Sequence, residues 1–341
     1  MELNACAPTS ADDLDALPKV HVHAHLDGSY PREAVRELAR RRGSAFAAPR
    51  SFADVHDFFE AYGEVPALVT SLEDLAFLCT RLVEAETARG VVFLEPAIEP
   101  QLYAPRLGTL DEVTATIVGA LQAAGEACGI DVGANLTINT DQDDPVAMAL
   151  AELAVAYAGR GVTALGTAGF IEPAGLGRYR ELAEAATAAG LQVVSHAGQV
   201  GGPDSIFEAI DELGAGRISH GVQAVRSQAL LARLATDRIV CDVCPVSNVR
   251  LGVSPSLAEH QAPDLVAAGV PVTLNADDEL WFGQSVTDQY RIARDVWGWS
   301  REQLAAIAGS GALIPGARRG TRLALETQTG LWARTSNEGV S

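Results

Sequence analysis

The sequence predicts a closed (β/α)8 TIM barrel with extra helices inserted after the first strand, and three observations lead to that fold class. Short apolar runs alternate with amphipathic helical segments from Val20 onward, which is the pattern of parallel βα units. Eight such runs are present, the number that closes a barrel. Polar side chains stand at or just beyond the ends of these runs, where the active site of such a barrel lies: His23, His25, Glu95, Asn139, His196, His220, Ser247, Asn248, Asp277 and Asp278.

The individual elements follow from length, apolar pattern and turn residues. Glycines such as Gly90, Gly129 and Gly190 stand between a helix and the next strand, where a helix end favours positive φ. The predicted strands are 20–25, 91–96, 131–139, 162–167, 192–197, 217–220, 239–244 and 271–275. The predicted helices are 32–42, 72–89, 110–128, 146–159, 178–189, 205–213, 228–236 and 285–296. The chain has no internal repeat or linker, so we expect one domain over residues 1–341.

Two segments depart from the regular alternation. The long connection 43–71 carries five aromatic side chains, Phe46, Phe52, Phe58, Phe59 and Tyr62. Long insertions on the catalytic face of a barrel commonly act as lids or pocket walls, although an extra helix packed on the rim is an equal alternative. After Glu326 the chain is mostly polar, and we expect this tail to be loose.

Composition excludes several function classes. A formal charge of −19 and a pI near 4.7 disfavour a nucleic-acid partner, because phosphate binding needs clustered cations. No apolar window approaches the ~20 residues of a membrane span, and the N-terminus lacks a signal-peptide pattern. Five Cys are too few for a disulfide framework. Cys241 and Cys244 form a single C-x-x-C motif, and we expect both to pack in the core. We therefore expect a cytoplasmic protein with a small-molecule substrate, and leave a homo-oligomer open.

The first predicted strand contains histidines at alternate positions. Side chains two apart on a strand share a face, so His23 and His25 converge at its end. A half-buried strand with locally bonded rings would show the same pattern. Further candidates close later strands, namely His196, His220 and the pair Asp277 and Asp278. Imidazole nitrogens with one carboxylate suit a borderline divalent ion such as zinc, with a coordination position left for water.

Five short motifs occur in one order along the chain: His23-Ala24-His25-Leu26-Asp27-Gly28, His196-Ala197-Gly198, Arg217-Ile218-Ser219-His220-Gly221, Cys244-Pro245-Val246-Ser247-Asn248 and Leu274-Asn275-Ala276-Asp277-Asp278. Together they resemble the adenosine deaminase family of the amidohydrolase superfamily over roughly residues 17 to 320. The resemblance implies one zinc ion per chain, bound by His23, His25, His196 and Asp277. It further implies that His220 and Asp278 flank the reacting water and the base.

Substrate contacts are also implied by the resemblance. Asp27 matches the residue that meets a sugar 5′-hydroxyl in adenosine-type members. His25, Gly169 and Ser247 are further candidates for substrate contact, with Gly169 offering a backbone group to the base. The implied reaction is hydrolytic deamination, in which zinc lowers the pKa of a bound water towards ~7 and hydroxide attacks a ring carbon that bears an amino group.

One catalytic position departs from the family. The family has Glu three residues after the fifth-strand histidine, as the acid that protonates the ring nitrogen, and this chain has Gln199. An amide donates a hydrogen bond but has no titratable proton, and general acid catalysis is typically worth ~10²–10⁴-fold. Ala97 also replaces the usual Arg, and the fourth-strand region lacks the usual Asp. An engineered inactivating substitution and natural divergence both explain Gln199, and the additional departures favour divergence.

Three functions therefore stay open at this point. The leading one is a zinc-dependent hydrolase that deaminates an amino-heterocycle or nucleoside. The second is a catalytically impaired family member that binds a nucleoside-like ligand. The third is a hydrolase of another carbon–nitrogen bond whose leaving step needs no carboxylic acid at Gln199. Metal content together with turnover on a panel of amino-heterocycles distinguishes them.

Overall fold

The barrel is seen in a computed structural model, which describes residues 13–48, 51–52, 55–169 and 175–334. Every strand pairing in it is parallel. The strands are β1 (Lys19–His21), β2 (Val91–Leu94), β3 (Ala97–Ile98), β4 (Asp131–Val132), β5 (Ala134–Asn139), β6 (Val162–Ala168), β7 (Gln192–Ala197), β8 (Arg217–His220), β9 (Val240–Val243) and β10 (Val272–Leu274). The predicted (β/α)8 barrel is confirmed.

These ten strands occupy eight barrel positions. Pro96 lies between β2 and β3, and Gly133 lies between β4 and β5, so each pair is one interrupted strand. The hydrogen-bonded orders are β1-β2-β4 and β10-β9-β8-β7-β6-β5-β3. Single parallel bridges join Ala24 to Asp277 and His25 to Ala97. The first strand is thereby joined to the last, and the barrel closes where the candidate ligands lie.

Helices fill the connections, largely where the sequence predicts them. The longest, 110–128, begins with a capping box between Thr109 and Glu112 and ends at Gly129 with φ 72°. The helices are α1 (Leu26–Ser29), α2 (Arg32–Arg41), α3 (Val55–Tyr62), α4 (Glu64–Leu68), α5 (Leu72–Ala88), α6 (Leu110–Cys128), α7 (Asp144–Ala156), α8 (Arg180–Ala188), α9 (Pro203–Leu213), α10 (Gln228–Asp237), α11 (Pro245–Arg250), α12 (Ala262–Ala267), α13 (Glu279–Phe282), α14 (Val286–Asp295), α15 (Arg301–Gly309) and α16 (Arg319–Arg334). Among the described residues, no helix is both long and apolar enough to cross a membrane.

The expectation of a loose tail after Glu326 is wrong as far as residue 334. Helix α16 continues through it and buries Leu325, Thr329 and Trp332. These positions are four and three residues apart, so they share one helix face. Because the segment is mostly polar in composition, its narrow buried face was not predicted from the sequence. Residues 335–341 lie outside the described part of the chain.

The inserted segment contributes helices α3 and α4 to the catalytic face. Phe58 stacks on Phe282 with ring centroids 5.3 Å apart, and Phe52 makes an edge contact with Trp281 at 6.4 Å. Both partners belong to α13, which directly follows the Asp277-Asp278 pair. The insertion is therefore packed on the element next to the candidate ligands.

Glu95 differs from the sequence expectation, because it lies inside the barrel and not in the cavity. It accepts a hydrogen bond from Arg217, whose Nε lies 2.7 Å from Asp242 Oδ2, and all three side chains are fully buried. Thr163 also donates to Glu95, over 2.7 Å. The pairing of Arg217 inside the barrel could not be predicted from the sequence motif that contains it. This buried ion group joins β8, β9 and the segment after β2, which are the neighbours of the strands that carry the candidate ligands.

Candidate active site

His23 is held in a single orientation by its neighbours. Its backbone N–H donates to Asn275 Oδ1 over 3.1 Å, and its Nδ1 donates to the carbonyl of Asp242 over 2.8 Å. The Nε2 atom is consequently the unprotonated one in a neutral ring. It is buried and has no hydrogen-bond partner. A buried lone pair of this kind is suited to a metal ion.

His196 is oriented in the same way from β7. Its Nδ1 donates to the carbonyl of Thr167 over 2.8 Å, which directs Nε2 into the site. That Nε2 lies 3.1 Å from Nε2 of His25. Two ring nitrogens this close need a shared proton or cation, because two facing lone pairs repel.

Asp277 supplies the only carboxylate among the four predicted metal ligands. Its Oδ1 lies 3.3 Å from Nε2 of His23 and 3.3 Å from Nε2 of His25. Its Oδ2 accepts a 2.5 Å hydrogen bond from Ser247. The ligand-facing oxygen is thus Oδ1, and Ser247 fixes the rotation of the carboxylate.

The donor set of His23, His25, His196 and Asp277 fits a zinc ion. Their ligand atoms all lie within 4.8 Å of one another, and three imidazole nitrogens with one carboxylate oxygen are typical zinc ligands. Burial by itself would lower the pKa of His25, but the carboxylates of Asp278 and Asp277 outweigh it and raise that pKa to about 10. The site therefore attracts positive charge, either a proton or a metal ion.

His220 and Asp278 lie beside the cluster. Nε2 of His220 is 3.8 Å from Oδ2 of Asp277. Burial, followed by the charge of Asp277, raises the pKa of Asp278 well above its usual range, and its buried Oδ1 has no partner. A Cβ on Gly28 would come within 1.8 Å of that Oδ1, so only glycine fits beneath Asp278. Both side chains face the cavity.

A cavity of about 880 Å³ opens above the cluster, a size typical of small-molecule sites. Gln199 lines it from the loop after β7. Gly169 lines it with φ 85°, and a side chain there would meet Asn139 at 2.4 Å. The insertion forms a wall through Phe58, Phe59 and Tyr62. Phe170, which follows Gly169, lies outside the described residues.

Asp27 and Ser247 lie behind the surface of the cavity. Neither is among the described residues that line the cavity, and their relative exposures are 1% and 0%. Asp27 accepts a hydrogen bond from Tyr103, and burial raises the pKa of Asp27 to about 7. Their substrate roles stay predictions, whereas their hydrogen bonds to Tyr103 and Asp277 are explicit.

Several acidic residues of the cavity were not predicted from the sequence. Glu99, Asp141, Asp204 and Glu208 all line it. Glu99 directly follows β3, so its position beyond a strand end was a usable signal. Asp204 and Glu208 are four residues apart on α9, a spacing that places them on one helix face.

Comparison with known proteins agrees with this geometry. The sequence profile of the family described as adenosine deaminase matches residues 18–315. The chain belongs to the adenosine deaminase family. A curated relative from Streptomyces virginiae, named a putative adenosine/adenine deaminase, is 35% identical over 310 residues, which cover 87% of this chain and 91% of the relative. The predicted family resemblance is therefore confirmed.

Solved structures share the barrel. The adenine deaminase from Arthrobacter aurescens superimposes with a TM-score of 0.85 and 25% identity, covering 92% of this chain and 98% of that one. An amidohydrolase from Burkholderia ambifaria, solved with bound zinc, has a TM-score of 0.84 and 22% identity, with 97% and 96% of the two chains covered. Members of the family are metal-dependent hydrolytic deaminases, so the predicted reaction class is confirmed.

Proposed function

We propose that this protein is a zinc-dependent deaminase of an unphosphorylated amino-heterocycle, either a purine-like base or its nucleoside. One observation carries the proposal: the cluster of three imidazoles and one carboxylate borders a cavity through His25, His196 and Asp277. The same cavity is lined by His220 and Asp278. The names of the adenine deaminase from Arthrobacter aurescens and of the relative from Streptomyces virginiae support the same class of substrate.

Each residue has a chemical task in this proposal. His23, His25, His196 and Asp277 hold the metal, and the chemistry supplied by bound zinc is a lowered pKa of its coordinated water. Asp278, whose raised pKa favours the protonated form, donates a hydrogen bond to an acceptor on the heterocycle through its carboxyl group, whose Oδ1 has no other partner.

Gln199 stands at the position where the family motif has its acid. Its amide donates a hydrogen bond to a ring nitrogen but cannot transfer a proton. The reaction then lacks the acid that the family uses at this position. We therefore expect a slow reaction on adenine-type substrates, or a heterocycle whose ring nitrogen needs no full protonation.

The charge of the cavity favours a substrate without phosphate. Among the described residues that line it there is no Lys or Arg, whereas four acidic residues line it apart from Asp277 and Asp278: Glu99, Asp141, Asp204 and Glu208. Like charges repel, and no described lining residue offers a cation to pair with a phosphate, so a neutral base or nucleoside is a better match than a nucleotide.

A second function is favoured by the same Gln199. A cavity with an intact metal cluster and no acid would bind a nucleoside-like ligand and turn it over poorly. This binding protein is the alternative to a working deaminase.

The test is ammonia release by the zinc-loaded protein on a panel containing adenine, adenosine, AMP and other amino-heterocycles. We expect turnover of at least one neutral member and none of AMP, with metal-free protein as the control. Bound zinc and bound ligand without turnover would support the alternative function. Turnover of AMP in preference to adenosine would contradict the charge argument.

A further inference from the structure

A series of three hydrogen bonds leads from a backbone amide to the ring of His220. The N–H of Ala262 donates to Nδ1 of His260 over 3.0 Å. Nε2 of His260 lies 3.1 Å from Oδ1 of Asn248. Nδ2 of Asn248 lies 3.2 Å from Nδ1 of His220. The sequence motifs did not single out His260 or give Asn248 a task.

The direction of every bond in this series is fixed by its first member. A backbone N–H can only donate, so Nδ1 of His260 is an acceptor and its proton is on Nε2. That proton needs an acceptor, which assigns the facing atom of Asn248 as oxygen. The amide nitrogen of Asn248 then faces His220 and donates to Nδ1. In a neutral His220 the remaining proton is consequently on Nε2.

The series is rigid because all of its members are buried. The relative exposures of His260, Asn248 and His220 are 4%, 0% and 1%. The ring of His260 stacks on Trp297 with centroids 5.5 Å apart and planes at 29°. Trp297 is itself held by a 2.7 Å bond to the carbonyl of Leu257. Each side chain therefore has one available orientation.

The tautomer of His220 decides where a metal ion can bind. The described residues contain a second possible ligand set, His23, His220, Cys244 and Asp277, whose ligand atoms also lie within 4.8 Å of one another. His220 can join that set through Nε2 only if Nε2 has a free lone pair. A protonated Nε2 cannot coordinate a metal and instead presents a hydrogen-bond donor to the site.

We propose that His260 and Asn248 are positioning residues that lock His220 as its Nε2–H tautomer. They thereby keep His220 out of the metal coordination and leave the ion to His23, His25, His196 and Asp277. The donor that remains faces the metal cluster, where it orients an oxygen nucleophile. A working role of His220 in the reaction rests on the proposed function, whereas its tautomer does not.

The direct test is the ¹⁵N spectrum of the full-length protein labelled at histidine, with the His220 signals identified by their loss in His220→Gln. We expect the wild-type protein to show protonated Nε2 and unprotonated Nδ1 at His220, with and without zinc. In His260→Leu, Asn248 loses the donor that fixes its amide, so His220 should become a mixture of tautomers. In His260→Gln, the new amide N–H again reaches Asn248, and the single tautomer should return.

Trp297→Phe is the matched control, because it retains an aromatic ring beside His260 and loses only the bond to Leu257. It should leave the His220 tautomer unchanged. A protonated Nδ1 at His220 in the wild-type protein would overturn the proposal, even if His260→Leu failed to fold. A single unchanged tautomer in folded His260→Leu would also overturn it.

Activity supplies a second, separate measurement once a substrate is known. Loss of a group that orients such a residue typically costs ~10–100-fold. We expect this loss in His260→Leu with zinc content unchanged, and recovery in His260→Gln. If no substrate is found, the proposed function fails but the ¹⁵N result still decides the tautomer. If turnover is normal in a folded His260→Leu, the positioning role is wrong and the deaminase function stands.

Discussion

The two ends of the cavity are built in different ways. We call them the metal end, which carries the proposed ligands His23, His25, His196 and Asp277, and the substrate end, which carries Gln199 and the inserted helices. At the metal end, the side chains stand at strand ends, and His23 and Asp277 are 2% and 3% exposed. At the substrate end, the lining comes from loops and inserted helices, and Val200 and Phe59 are 69% and 42% exposed. The family departures at Gln199 and in the fourth-strand region belong to this second end.

The difference shows which part of the site the barrel itself determines. His25 donates its backbone N–H to the carbonyl of Asp277, and Asp277 donates to the carbonyl of His23, both over 3.1 Å. The same bonds that close the barrel therefore hold the ligands together. No comparable constraint fixes Gln199 in the described structure, where it lies on the loop after β7. Sequence change is tolerated more easily at that end.

Removal of a metal ligand should have the largest effect. His196→Ala should abolish stoichiometric zinc binding and all deaminase activity, and lower the midpoint of thermal unfolding, because metal binding adds to folding stability. We expect one zinc per wild-type chain by metal analysis. Asp204→Ala, a cavity residue outside the cluster, is the control and should retain zinc. Full zinc content in His196→Ala would refute the assigned ligand set.

Substitution of Asp278, also at the metal end, should separate metal binding from catalysis. Asp278→Asn should leave zinc content nearly unchanged while reducing kcat by about 10²–10³-fold, because an oriented proton-holding group is lost. Asp277→Asn is the matched comparison one residue earlier, and it should lose zinc. If zinc disappeared with Asp278→Asn and remained with Asp277→Asn, the roles of the two carboxylates would be reversed.

The clustering of His23, His25, His196 and Asp277 could be predicted from the sequence because its determinants are local. Alternation in a strand places His23 and His25 on one face, and a parallel barrel collects all strand ends at one edge. Partners far apart in sequence were not predictable in this way. Arg217 meets Glu95 across 122 residues, and His21 meets Glu86 across 65, so these pairs are set by tertiary packing.

The substrate end was predicted only in outline. The length and the aromatic residues of the insertion at 43–71 predicted either a wall of the pocket or an extra helix on the rim. Only the structure distinguishes these alternatives, because Phe58 lines the cavity. Asp204 and Glu208 carried a helical spacing that was overlooked. Gln199 was identified only against the family motif, because glutamine on its own suggests no chemistry.

Restoring the missing acid tests whether the substrate end has otherwise diverged. Gln199→Glu should raise deamination of adenine or adenosine by at least ~100-fold, because it supplies general acid catalysis. Gln199→Met, similar in size and unable to donate, is the control and should give no gain. A wild-type protein that deaminates adenosine at ordinary enzyme rates would show that this position needs no transferable proton. If zinc-loaded Gln199→Glu showed no gain in deamination, other residues of the substrate end would have diverged as well.

The smallest expected effect concerns pH and the support of His220. Burial lowers the pKa of His260 to about 4, whereas an unfolded histidine has a pKa of about 6.5. Between these pH values the unfolded chain binds a proton at this residue and the folded chain does not. The contribution of His260 to the free energy of unfolding is therefore fully present above pH 6.5 and is lost as the pH falls. The loss from pH 7 to pH 5 is roughly 2 kcal/mol.

His260→Gln removes this titration and retains a donor to Asn248. The difference in free energy of unfolding between wild type and variant should therefore shrink by about 2 kcal/mol from pH 7 to pH 5. Urea unfolding of the metal-free proteins measures it, because the other histidines are common to both and cancel. A constant difference across that range would mean that His260 titrates normally in the folded protein. It would then be protonated at pH 5, in conflict with its acceptance of the Ala262 N–H.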